Sequence, residues 1–189
     1  MLNIYIGWDH RQPISYNVLH HSILSRSSQP VAITPLCLNT LPLTRTGLTP
    51  FTFSRYLVPW LQNYRGFALF ADADILVLGD IAELFELADE TKAVMVSKNV
   101  KQFEWASVML WNCGHEANRT LTPEWVENPA NNPFKFGWLD SMDQIGETDR
   151  RCPPHLVGVA RSNSARGGAD SLLVAGRAFT QLILQLVIR

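Results

Sequence analysis

Apolar and polar residues alternate from the second position, where Leu2-Asn3-Ile4-Tyr5-Ile6 predicts a strand that stops at Gly7-Trp8-Asp9. Helical spacing through Ile14, Val18, His21 and Leu24 then predicts a helix over 13–26 with those residues as its stripe. Val31 to Leu36 reads as a second strand, and the Pro/Thr/Gly-rich stretch from Leu41 to Pro50 as a loop that is either surface or site-lining. A second helix is expected over 54–64, ended by Gly66. Phe67-Ala68-Leu69-Phe70-Ala71 is an unbroken apolar run of the kind found in strands buried on both faces, and Asp72 begins where it should stop. Asp80 can cap a short helix through Leu87, and further strands are expected at 93–97 and 107–111. Strands alternating with helices predict an α/β domain over 1–158. The pattern weakens after residue 150, leaving 159–189 as an atypical tail with one helix suggested at 171–188.

Composition narrows the partners. A chain of 189 residues with 47% hydrophobic content can bury an ordinary single-domain core. Sixteen Lys+Arg against seventeen Asp+Glu give a formal charge of -1, too little positive field to gather nucleic acid. Cys37, Cys113 and Cys152 are odd in number and far apart, which fits a reduced compartment better than a disulfide framework or a zinc cluster. The N-terminus shows no basic segment followed by an apolar run, so the cytoplasm is the expected location. No stretch reaches the roughly 18 uninterrupted apolar residues of a membrane span, and peripheral membrane association stays open.

The chemistry concentrates at Asp72-Ala73-Asp74. Two carboxylates separated by one small residue, just past a buried strand, can both reach a hard divalent cation if the backbone turns there. Ala73 leaves room for a diphosphate to approach. A metal so held neutralises charge developing on a leaving nucleoside diphosphate. Asp-x-Asp tripeptides are common, and most are solvated turns, so context has to decide.

That context is a resemblance covering roughly residues 2–158. Ile4 to Asp9, Phe53 to Pro59, Ala68 to Ile81 and Ala106 to Asn112 together resemble family 8 glycosyltransferases, in particular a bacterial branch of nucleotide-diphospho-sugar transferases. The resemblance implies a GT-A, Rossmann-like fold with a mostly parallel central sheet flanked by helices. It implies a retaining, metal-dependent transferase that takes a UDP-sugar with Mn2+ or Mg2+ and passes the sugar to a saccharide, lipid or protein acceptor. Residue by residue, it implies that Gly7 and Asp9 receive the nucleotide, that Arg55 reaches the sugar-nucleotide, and that Asp72 and Asp74 hold the metal with Ala73 between them. Ala106 falls in the strand beneath the donor sugar, where Trp105 replaces the family's Asn. A weaker match implies that Asp143 and Gln144 face the sugar as the catalytic pair, with Trp138 the one tryptophan expected at the substrate.

The sequence also departs from the family. The third metal ligand, a His in a C-terminal His-x-x-Gly type segment, is expected to be missing, and truncation or a frameshifted tail is the expected cause. Activity of the chain is therefore open. Two rival readings stand beside the transferase: a haloacid-dehalogenase-type phosphohydrolase using Asp72 as nucleophile and Asp74 as acid, and a degenerate domain that binds a nucleotide sugar without turnover. His20-His21, adjacent on a helix, is expected to pack rather than bind metal, and the Asn118-Arg119-Thr120 sequon is set aside.

Overall fold

The computed structural model describes residues 1–96, 107–148 and the backbone of 157–159. Trp105, Ala106, Cys152, His155 and the helix suggested at 171–188 lie outside the described residues. In chain order the elements are β1 (Leu2–Gly7), α1 (Pro13–Leu24), β2 (Val31–Leu36), α2 (Phe51–Ser54), α3 (Val58–Leu61), β3 (Phe67–Ala71) and β4 (Ile75–Val77). There follow α4 (Ile81–Phe85), β5 (Val94–Val96), β6 (Val108–Asn112), α5 (Pro123–Glu127), β7 (Ile145–Glu147) and β8 (Val157–Val159).

Six strands form one sheet in the order β2-β1-β3-β6-β5-β7, and β4 pairs with β8 in a separate ribbon. The pairs β1–β2, β1–β3 and β5–β7 are parallel, while β6 runs antiparallel to both its neighbours. This is the expected α/β domain, with one reversed strand near its centre. Because β6 is reversed, β1, β3, β5 and β7 all point the same way.

The unbroken apolar runs follow from burial on both faces. Ile4, Ile6, Leu69, Leu110 and Met95 point into one cluster with Leu19 and Ile23 of α1 and Ile81 and Leu84 of α4. Tyr5, Phe70, Met109, Trp111, Val94 and Val96 point the other way, into a cluster with Phe53, Tyr56, Leu57 and Trp138. The period-2 alternation of a strand divides these residues between two cores, so neither face is left for polar side chains.

Two helices differ from expectation. In α1 the buried residues are Leu19, Ser22 and Ile23, whereas Ile14, Val18 and Leu24 are exposed. Apolar residues lie on more than one side of this helix, so spacing alone offers two stripes. Ser22 decides between them: its hydroxyl donates to the Leu19 carbonyl at 2.8 Å and accepts the Val77 N–H at 3.1 Å, anchoring that side to β4. The helix expected at 54–64 is instead α2, a 3-10 turn over Arg55–Leu57, and α3. Pro59 has no N–H to return to the preceding turn, so one continuous α-helix cannot form through it.

Candidate active site

From β1 the chain crosses to β2 on one side, then returns to place β3 on the other. At such a switch point the carboxyl ends of two parallel strands leave a crevice that no crossover covers. Asp9 follows β1 and Asp72 follows β3, so the topology brings two acids from distant sequence to one crevice.

The Asp72 N–H donates to the Ser107 carbonyl at 2.8 Å, and the Ile75 N–H closes back onto the Asp72 carbonyl at 3.2 Å. These bonds make the turn that the carboxylate pair requires. Arg55 Nη2 lies 3.0 Å from Asp72 Oδ1. That oxygen is buried and takes no aligned hydrogen bond, so the contact is one of charge. Arg55 is itself largely buried: its Nε donates to the Phe51 carbonyl at 3.3 Å and its guanidinium stands 4.9 Å from the Phe70 ring centre. It lines one cavity with Asp72 and is not an ordinary surface charge. Burial pushes the Asp72 carboxyl up to about 6; Arg55 opposes the rise and Asp74 adds to it. Asp74 is exposed.

Asp9 is only 2% exposed, and its carboxylate accepts from the Arg11 backbone N–H at 2.9 Å and from Arg11 Nη2 at 2.6 Å. The Arg11 hydrogen bonds hold this carboxyl below the usual range. Asp9, Arg55, Asp72, Ala73 and Asp74 all line one cavity of about 910 Å³. Its lining also includes Gln12, Ser107, the 46–49 and 51–53 stretches, and Asn132, Phe134 and Lys135.

Other expected site residues fall elsewhere. Gly7 does not line the cavity; a Cβ there would stand 2.5 Å from the ring of Phe51, so it permits Phe51 to pack against the end of β1. Asp143 and Gln144 precede β7, which points the same way as β3, and so they sit at the opposite end of the sheet from Asp72. Gln144 Oε1 accepts the N–H groups of Asp140 and Ser141 in a capping box, and the Asp143 carbonyl accepts from Lys92 Nζ at 2.7 Å. Trp138 is buried, with its Nε1 donating to Asn118 Oδ1 at 3.0 Å, so it is core and not a substrate platform. Asn118 is fully buried, which agrees with setting the sequon aside, and His20 stacks on Tyr16. Ala106 lies outside the described residues.

Sequence reasoning missed Gln12, Ser107, Thr52, Asn132 and Lys135 as cavity residues. The 46–49 part of the lining had a signal, the non-periodic loop at 41–50, whereas 132–135 had none.

The family model for glycosyl transferase family 8 matches residues 12–125. This chain belongs to glycosyl transferase family 8. A relative, Protein CDI of Arabidopsis thaliana, is 34% identical over 84% of this chain and 77% of its own length. Among solved structures, the galactosyltransferase LgtC in complex with donor and acceptor sugar analogs superposes with a TM-score of 0.51 at 14% identity, covering 86% of this chain and 88% of LgtC. The glycosyltransferase GlyE of Streptococcus pneumoniae TIGR4 gives 0.54 at 18% identity over 77% of this chain, which spans 44% of GlyE. At these identities the structures show a shared GT-A fold.

Membership of family 8 removes the phosphohydrolase reading, which rested on a strand leading into Asp-x-Asp followed by apolar residues. One expectation about the family 8 metal ligands is also corrected by the sequence: a His-x-x-Gly spacing is present at His155-Leu156-Val157-Gly158. Gly158 is on β8, paired with Leu76 of β4. Among the described residues no cluster of three or more His, Cys, Asp or Glu side chains could hold a metal, and no helix is long and apolar enough to cross a membrane.

Proposed function

We propose that this family 8 chain binds a nucleoside-diphosphate sugar, with a UDP-sugar as donor, and transfers the sugar to an acceptor with retention of configuration. The observation that carries the reading is the single cavity shared by Asp9, Arg55, Asp72 and Asp74. A nucleoside diphosphate needs a polar contact for its base and positive charge along its phosphates. Asp9, past β1, is suited to the base end, and Arg55 to a phosphate or sugar oxygen, since a guanidinium offers a planar fork of donors.

The donor set fits a hard divalent cation. Asp72 Oδ1 is a buried carboxylate oxygen without an aligned hydrogen bond, and Asp74 lines the same cavity. Asp72 and Asp74 would hold the ion, with diphosphate and water completing its shell. Bound there, a Mn2+ or Mg2+ would supply neutralising charge for the departing diphosphate. Arg55 sits beside Asp72 and would bind the same anion, while the Ser107 carbonyl, accepting the Asp72 N–H at 2.8 Å, holds the turn that carries the carboxylate. Neither Asp143 nor Gln144 carries a step in this mechanism, because they lie at the far end of the sheet.

Calorimetry of UDP and UDP-sugars, with and without Mn2+, tests the reading against an Asp72→Ala/Asp74→Ala variant. Manganese-dependent binding that the double variant loses is the expected result. Equal binding by both proteins, or none by the folded wild type, would sink it.

A further inference from the structure

The outer wall of the cavity is built from two stretches far apart in sequence. Thr46, Thr49 and Thr52 come from the segment after β2, and Asn132, Phe134 and Lys135 from the segment after α5. Thr46, Gly47 and Leu48 are exposed, as are Asn132 and Lys135, so core packing does little to hold these parts of the wall in place. Apart from the packing of Phe53 on Phe134, polar contacts join them.

They are joined by two charged side chains that reach across in opposite directions. The Glu127 carboxylate accepts the backbone N–H groups of Thr44 at 2.9 Å and Arg45 at 3.0 Å, together with the Thr44 hydroxyl. In return Arg45 Nη1 donates toward the carbonyls of Val126 at 2.9 Å, Asn128 at 3.0 Å and Asn131 at 3.2 Å. Its guanidinium lies 3.9 Å from the centre of the Phe53 ring, and Phe53 packs on Phe134 with ring centres 5.4 Å apart. Both aromatic rings line the cavity. Arg45 thus fastens the end of α5 and the turn after it to the residue immediately before Thr46.

We propose that Arg45, locked by Glu127, is a positioning residue that fixes the spacing between the two outer walls of the nucleotide-sugar cavity. The proposal rests on reading that cavity as the donor site. A lysine cannot substitute. Its ammonium is a point charge that cannot lie flat on Phe53 while meeting three carbonyls, whereas a guanidinium can.

The test uses the full chain as wild type, Arg45→Lys and Glu127→Gln. Hydrogen exchange is read first, without ligand. Amides in 46–52 and 128–135 should exchange faster in both variants, while those of β1, β3 and β6 stay as protected as in wild type. UDP binding in Mn2+ is read second, and its dissociation constant should rise about tenfold in Arg45→Lys, as expected when binding groups are misplaced at an intact fold. With a UDP-sugar, donor hydrolysis should show KM rising and kcat nearly unchanged, the pattern of lost uniform binding. Unchanged exchange in both segments would overturn the clamp. Faster exchange with wild-type UDP affinity would overturn its role in the site. If wild type fails to bind UDP, the donor reading falls, and the exchange result alone decides whether Arg45 fastens the walls.

Discussion

Replacing Asp72 by Asn should make the metal-free protein more stable and less functional at once. Burial holds the Asp72 carboxyl at about 6 against an ordinary 3.8, even with Arg55 alongside. At about 1.4 kcal/mol per pH unit, that gap amounts to about 3 kcal/mol by which the folded state disfavours the charged form. Between 3.8 and 6 the folded chain binds more protons than the unfolded one, so stability falls as pH rises through that window and then levels off. An Asn side chain has the shape of the protonated acid and no such slope. At pH 7 the variant should therefore gain up to about 3 kcal/mol, or roughly 6–12 °C in Tm for a chain of this size, and at pH 4 the gain should shrink below about 1 kcal/mol. Urea unfolding followed by tryptophan fluorescence in EDTA, at pH 7, 5.5 and 4, gives the comparison, and calorimetry with Mn2+ and UDP should show binding lost. An Asn variant no more stable than wild type at pH 7 refutes the argument that Asp72 is strained by burial.

Three further changes probe the frame around the site. Asn118→Ala removes a side chain that donates to the Ala93 and Asn112 carbonyls and accepts from Trp138, and should cost about 2–4 kcal/mol in urea unfolding through the buried groups it strands. Ser22→Ala leaves the buried Val77 N–H without its acceptor and should cost about 1–3 kcal/mol; a change under about 0.5 kcal/mol would show that Ser22 does not choose the buried side of α1. Gln144→Ala should loosen the 3-10 turn before β7 yet leave manganese-dependent UDP binding at wild-type affinity, and a tenfold weakening would return that residue to the site.

What the sequence made legible was whatever a strand's own composition records. The run at β3 announces burial on both faces, and Asp72 and Asp74 stand where it stops, while Asp9 after the alternating β1 was named only by the family resemblance; all three line the cavity. Asp143 and Gln144 could not be excluded that way. A dipeptide carries no sign of which end of the sheet it occupies, and only the reversed β6 and the parallel β5–β7 pair establish that it precedes a strand pointing toward Asp72. The side of α1 was misread for a related reason: its anchor is one hydroxyl bonded to a strand fifty-five positions away, a partner that periodicity cannot register.

The same division separates the two halves of the cavity. Its inner half is set by strand ends and by the 3-10 turn that carries Arg55, where backbone hydrogen bonds and two hydrophobic clusters hold Asp72 and Arg55 rigidly enough to keep a charge buried against its own preference. Its outer half is set by loops whose spacing depends on one guanidinium and one carboxylate reaching across about eighty positions. Changes to the loops, including the Arg45–Glu127 pair, can therefore alter the fit of a substrate while the acids at the strand ends keep their places. The strained carboxylate belongs on the rigid half, since a loop free to relax would let water in and return Asp72 toward its ordinary acidity.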